Sequence, residues 1–183
     1  PGVDQQTFIR DYIVSSETVG PTIAKDQASK AVWAILLALV GMFFYIFFRF
    51  RRWQFGLGSL VSLAHDVIVV LGLYSILQGV MPFSMDIDQS FIAAILTVVG
   101  YSINDTVVIF DRIREYLPIY RKRTKREVYN MALNSTLART LNTGMATIFV
   151  LIVIFIFGGE VIRGFVFALL FGIVFGTYSS LFV

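Results

Sequence analysis

The chain contains no cysteine and a single histidine, His65. Disulfides, thiol chemistry and cysteine-held metals are therefore excluded, and a histidine-based triad or zinc site lacks the ligands it needs. Charge is also scarce. Asp, Glu, Lys and Arg make up 15% of the 183 residues, against about 25% in a soluble domain. Hydrophobic residues take up the difference at 57%, with 18 phenylalanines, and the mean hydropathy is +0.77. The common physical outlet for such an excess is a surface that faces lipid. The net charge of +3 is no nucleic-acid footprint, because the basic residues cluster in short connections beside apolar runs. That pattern orients a protein in a membrane, so the expected partner is the bilayer and nucleic acid is not.

Enzyme signatures are missing as well. There is no H-E-x-x-H, no P-loop, no G-x-S-x-G and no glycine-rich dinucleotide turn. The residues read as a non-enzyme with no metal and no cofactor.

Five apolar runs are present, at about 29–48, 55–77, 91–110, 140–157 and 164–182. Each is near the ~20 residues that a helix needs to cross the hydrocarbon layer. The fold class expected is an all-α membrane protein, a bundle of five transmembrane helices with a short cytoplasmic amphipathic helix. Residues 1–28 are polar and mixed, and read as the end of a water-exposed domain entering the membrane. The chain begins at Pro1 and stops inside an apolar run at Val183, so both ends are expected to be cuts through a longer chain.

Positive charge sets the direction. Arg49, Arg51 and Arg52 follow run one. Arg112, Arg114, Arg121, Lys122, Arg123, Lys125, Arg126 and Arg139 lie in the basic segment 111–139 after run three. The connections after runs two and four carry only Arg163. The positive-inside rule then places both basic connections in the cytoplasm, the N-terminal end outside and the C-terminal end inside. Within segment 111–139, Thr124-Lys125-Arg126-Glu127 fits a capping box, and Val128, Met131, Ala132 and Ser135 repeat at helical spacing. The pattern predicts a helix along the inner membrane surface that continues into run four.

Ionisable residues inside apolar runs are costly, about 2.5–3.5 kcal/mol at a helix centre, and persist where they have a partner or face water. Asp105 lies two thirds of the way along run three. At about 100° per residue, Thr97, Tyr101, Ser102 and Asp105 share one side, with Arg112 extending it inward. Asn104 and Thr106 flank the carboxylate. Asp105 reads either as a group that gains and loses a proton or as a lock between two helices. Arg139 stands at the inner end of run four on a face with Ser135, Asn142 and Thr143. It is placed to pair with Asp105 if runs three and four pack as antiparallel neighbours, or to snorkel to the headgroups. His65 and Asp66 sit near the middle of run two. Adjacent residues point about 100° apart, so no dyad along one face is expected, and a proton relay and a packing hydrogen bond both remain open. In run five, Gly164, Ala168, Gly172, Gly176 and Ser180 recur every fourth residue, a stripe that lets another helix backbone come close.

The stretch Val99-Gly100-Tyr101-Ser102-Ile103-Asn104-Asp105-Thr106-Val107-Val108-Ile109-Phe110-Asp111-Arg112-Ile113-Arg114-Glu115 closely resembles the signature of the SecF family, membrane subunits of the bacterial Sec protein-export system. Asn134 to Thr143 looks like the family's entry into its next helix. Arg49-Phe50 with Trp53, His65-Asp66-Val67, Val19-Gly20-Pro21 and Gly176-Thr177-Tyr178-Ser179-Ser180 resemble further landmarks, so the likeness covers the chain from about Val19. The resemblance implies membership of the resistance-nodulation-division superfamily, with six transmembrane helices per half, of which this chain would hold the last five. It implies a SecD half or subunit, the SecYEG channel and a translocating unfolded protein as partners, in the cytoplasmic (inner) membrane. It implies the proton-motive force as the energy source, with protons as the coupling ion and sodium as the family's other option. It places proton-pathway roles on Asp105 and Arg139, and assigns none to His65-Asp66. Two other readings stay open at this point: a different proton-driven transporter of a lipid or small molecule in the same superfamily, and a structural subunit that stabilises the translocation channel. An intramembrane enzyme is a more distant third.

Overall fold

A computed structural model describes residues 21–183, with the side chains of residues 21–25 and 28 excepted. Residues 1–20 lie outside the described residues. With them goes most of the segment expected to close a water-exposed domain, including Val19-Gly20. Five helices follow one another: α1 Pro21–Phe50, α2 Trp53–Leu77, α3 Gln89–Ile119, α4 Lys125–Phe157 and α5 Glu160–Phe182. All five are long and apolar enough to cross a membrane, and there is no strand among the described residues.

The apolar runs mark where helices cross, but not where they stop. Helix α1 is already helical at Pro21, the first described residue, ahead of run one. It stops at Arg51, which adopts a left-handed φ of 54° while its N–H still bonds the Phe47 carbonyl at 2.8 Å. Helix α3 starts on Asp88, whose carboxylate accepts from the Phe91 N–H at 2.8 Å. It continues past Phe110 to Ile119 because the sequence there turns amphipathic. Ile109 and Ile113 are buried, while Arg112–Glu115 and Arg114–Asp111 pair along the outside at 2.9 and 3.5 Å.

The capping box forms. The Thr124 hydroxyl accepts from the Glu127 N–H at 3.4 Å, and the Glu127 carboxylate accepts from the Thr124 N–H at 2.9 Å. The amphipathic stretch that follows is not a separate element. It is the first part of α4, unbroken to Phe157, since no proline interrupts it. The polar segment 111–139 is thus mostly helical, and only Tyr120–Thr124 joins α3 to α4.

Helices α3 and α5 make the most extensive pairing. Helix α2 packs on both, α1 lies against α2 and α3, and α4 lies against α3 and α5. The core between them holds Leu63, Val67, Val70, Ile95, Val98, Ala168 and Ile173. At the end of the bundle away from the basic connections, Tyr74 packs on Phe91 with ring centroids 4.3 Å apart and Phe83 on Phe167 at 5.7 Å.

Candidate functional site

The polar side of α3 does not stay together as one stripe. Its members span enough of the helix circumference to meet different neighbours. Thr97 is exposed and bonds back to the Ala93 carbonyl at 2.7 Å. Tyr101 reaches α4, its hydroxyl 3.3 Å from Thr147 Oγ1. Ser102 turns the other way, into α2. Asn104 is exposed, and Thr106 is buried with its hydroxyl on the Ser102 carbonyl at 3.2 Å. Asp105 lies between these groups. It is 4% exposed, and its Oδ2 finds no hydrogen-bond partner among the described residues.

Arg139 does not close an ion pair with Asp105, although α3 and α4 are antiparallel neighbours as the pairing requires. It is near enough for its charge to act on the carboxylate, yet no ion pair involves it among the described residues. Its side chain is exposed and lines a cavity of about 220 Å³ with Val108, Asp111, Arg112 and Glu115. Those four residues lie one to three turns beyond Asp105 toward the basic end of α3. The side chain thus lies toward the basic end of α3, the direction that the snorkelling alternative describes. Ser135, Asn142 and Thr143 are exposed on α4. The Thr143 and Ser135 hydroxyls bond back to the Arg139 and Ala132 carbonyls at 3.0 and 2.7 Å.

His65 and Asp66 do meet, against the expectation from their helical angles. The imidazole Nδ1 is 3.2 Å from Asp66 Oδ1. Asp66 points straight into the bundle and is 0% exposed, while His65 lies at the edge of the buried face with 35% of its side chain accessible. A ring can bend sideways across that step where a shorter side chain cannot. The second carboxylate oxygen, Oδ2, accepts from Ser102 Oγ at 2.7 Å. One turn along α2, Ser62 donates to Ser179 of α5 at 3.1 Å, and Ser179 donates to the Gly176 carbonyl at 3.1 Å. Three helices are therefore joined by polar contacts inside the bundle. Ser62 was not among the residues singled out in the sequence, and Ser179 stood there only within the Gly176–Ser180 landmark. Their signal was there in part, since Ser59, Ser62 and Asp66 repeat at helical spacing on α2.

The small residues of α5 make this junction possible. A Cβ at Gly176 would stand 3.2 Å from Ser102 Cβ and 3.5 Å from Asp66 Oδ2. A Cβ at Gly172 would run into the Val98 side chain, and one at Gly164 would lie 2.6 Å from the Ser84 carbonyl. The Tyr74 hydroxyl donates to the Gly164 carbonyl. Ala168 is fully buried. Ser180 is half-buried and bonds only its own helix, at the Thr177 carbonyl, 3.0 Å away.

Long apolar helices packed through glycines, with one carboxylate partnered and another bare inside the bundle, define a polytopic α-helical membrane protein with ionisable groups at its interior. The family model for the C-terminal region of the protein export membrane proteins SecD and SecF matches residues 4–183, and the chain belongs to that family. It is 54% identical over 171 residues to the protein translocase subunit SecF of Rhodothermus marinus, covering 93% of this chain and 55% of that protein. Against the SecF subunit of Haemophilus influenzae the identity is 46% over 181 residues, covering 99% and 52%. A crystal structure of SecDF in its super-membrane-facing form superposes with a TM-score of 0.76 at 36% identity, covering 97% of this chain and 24% of that one. The chain spans about half the length of the curated relatives it matches. Family and helices together make it a multi-pass inner-membrane protein.

Proposed function

We propose that this chain is the ion-coupling membrane part of a Sec protein-export subunit, which uses the proton-motive force to promote movement of unfolded proteins through the SecYEG channel. The observation that carries the proposal is Asp105: a carboxylate 4% exposed, with one oxygen bare and an exposed cation, Arg139, in the cavity beyond it. The exposed polar face made by Thr97, Asn104, Asn142 and Thr143 is the surface on which a SecD half would seat. There it would supply the missing polar neighbours.

The working step follows from charge. With Asp105 ionised, Arg139 is drawn toward it. With Asp105 protonated, Arg139 returns to the Asp111 and Glu115 side of its cavity. Moving one charge across 100 mV is worth about 2.3 kcal/mol, enough to bias two such arrangements. The subunit thus acts by coupled movement and not by covalent chemistry, with no cofactor beyond the ion. In the proposed orientation the basic connections are cytoplasmic, the N-terminal end periplasmic and the C-terminal end cytoplasmic.

Asp105→Asn in the intact complex is the test. Proton-dependent export and proton conductance should both be lost while assembly is retained. Unchanged export and conductance would sink the proposal. Reduced assembly with normal proton dependence in what assembles would favour the structural reading instead. Replacing the proton gradient with a sodium gradient identifies the ion.

A further inference from the structure

A second cavity lies on a different flank of α3, under the turn between α1 and α2. It measures about 380 Å³ and is lined by Phe50, Arg52, Phe55, Arg114, Leu117 and Pro118. Its floor is aromatic and apolar: the Phe50 and Phe55 rings meet at 5.3 Å, and Phe110 closes on Phe55 at 4.8 Å. Its rim is cationic. Arg114 and Arg49 stand over the Phe50 ring at 5.6 and 5.4 Å. The carboxylate of Asp111 serves both, at 3.5 and 3.0 Å. Among the described residues Arg51 and Arg52 have no acidic partner. Of the four arginines here only Arg49 and Arg114 have an acidic partner, and they share the one carboxylate of Asp111.

Two further features set the depth and the use of this pocket. The next residue, Trp53, is 57% exposed beside the arginines, as an indole at the headgroup level would be. Arg51 occupies the helix-ending left-handed position, with φ 54°, which glycine fills at least cost. A cationic side chain is held there in a backbone conformation that disfavours it.

We propose that this pocket binds the headgroup of an anionic phospholipid, with the phosphate between Arg52 and Arg114 and the acyl chains running along Phe50, Phe55 and the lipid-facing side of α1. Charge complementarity selects the headgroup, and the apolar floor at the membrane boundary selects a lipid over a soluble anion. The proposal uses the orientation given above only to say that the cytoplasmic leaflet supplies the lipid.

The full-length subunit assembled with its partner is titrated in detergent with phosphatidylglycerol, cardiolipin or phosphatidylethanolamine, and bound lipid is read by native mass spectrometry. The wild type should retain the anionic lipids selectively. Arg52→Gln should weaken them about fivefold, and Arg52→Gln with Arg114→Gln about 25-fold. Lys122→Gln with Lys125→Gln, on the α3–α4 turn, should change binding by less than about twofold. Equal retention of the three lipids would overturn the site. So would equal loss in the lysine control, or displacement of bound lipid by inorganic phosphate, which would make it a small-anion site. Arg52 is exposed, so its single variant reads binding even if the double variant unfolds. Labelling a Gln54→Cys variant from each side of the membrane tests the orientation separately, and its failure leaves the lipid result standing.

Discussion

Helices α3 and α5 are buried along half of their most apolar stretch, whereas for α1 and α4 the share is 17%. The inner pair carries the small and polar residues, and the outer pair carries the bulk of the exposed aromatics and aliphatics. On α1, Phe43 stacks on Phe47 and Phe44 on Phe48, each pair 6.3 Å apart, with Phe44 and Phe48 among the exposed residues. Lipid tails are as apolar as leucine, so hydrophobicity does not draw helices together inside a bilayer. Close approach and hydrogen bonding do that work. The helices that matter for assembly are therefore the less hydrophobic-looking ones.

The sharpest way to break this comparison is at glycine. Gly172→Leu should cost the most, about 3 kcal/mol, because Val98 occupies the space. Gly41→Leu on α1 should cost nothing, since nothing lies within 4 Å of that position. Thermal unfolding of the purified protein in detergent reads both, and equal losses would erase the distinction between inner and outer helices. Next comes Asp66→Asn, which keeps the shape but replaces one of the two carboxylate oxygens that hold His65 and Ser102 with an amide nitrogen. A loss of about 1.5 kcal/mol is expected, and an unchanged unfolding midpoint would mean the three-helix junction is not a strong tie. Smallest is Tyr101→Phe, which removes the hydroxyl contact from α3 to the peripheral α4. About 0.6 kcal/mol is expected, and a loss as large as that of Asp66→Asn would show α4 to be as firmly held as the inner helices.

Both sides of the comparison were unequally legible in the sequence. The crossings were readable because hydropathy averages over a window, and all five runs fall inside helices. The overhanging end of α4 was announced by its capping box and helical spacing, whereas that of α3 was not, because an amphipathic helix outside the membrane has ordinary composition. The glycine stripe was visible as a period, but only packing shows that Gly172 meets Val98 and Gly176 meets Ser102. The carboxylate at Asp105 stood out by cost alone. The bond from Ser62 to Ser179 joins residues far apart in the chain, and no local pattern pairs them. Arg139 was ambiguous for a physical reason: a long, flexible cation near a helix end can reach a buried carboxylate or water, and its residue type does not decide which.

Helix α3 has 31 residues and α4 has 33. At 1.5 Å per residue they are about 46 and 50 Å long, well beyond the ~30 Å hydrocarbon layer. The excess of both lies at the same end, where Tyr120–Thr124 ties them into a stiff hairpin capped by Thr124 and Glu127. This gives the bundle a mechanical arm. Ile119 is about 21 Å along the axis from Asp105, so a tilt of about 10° there would sweep the tip by roughly 4 Å. On the proposed coupling, a change of charge at Asp105 would be geared by this arm into a displacement large enough for a neighbouring protein to feel.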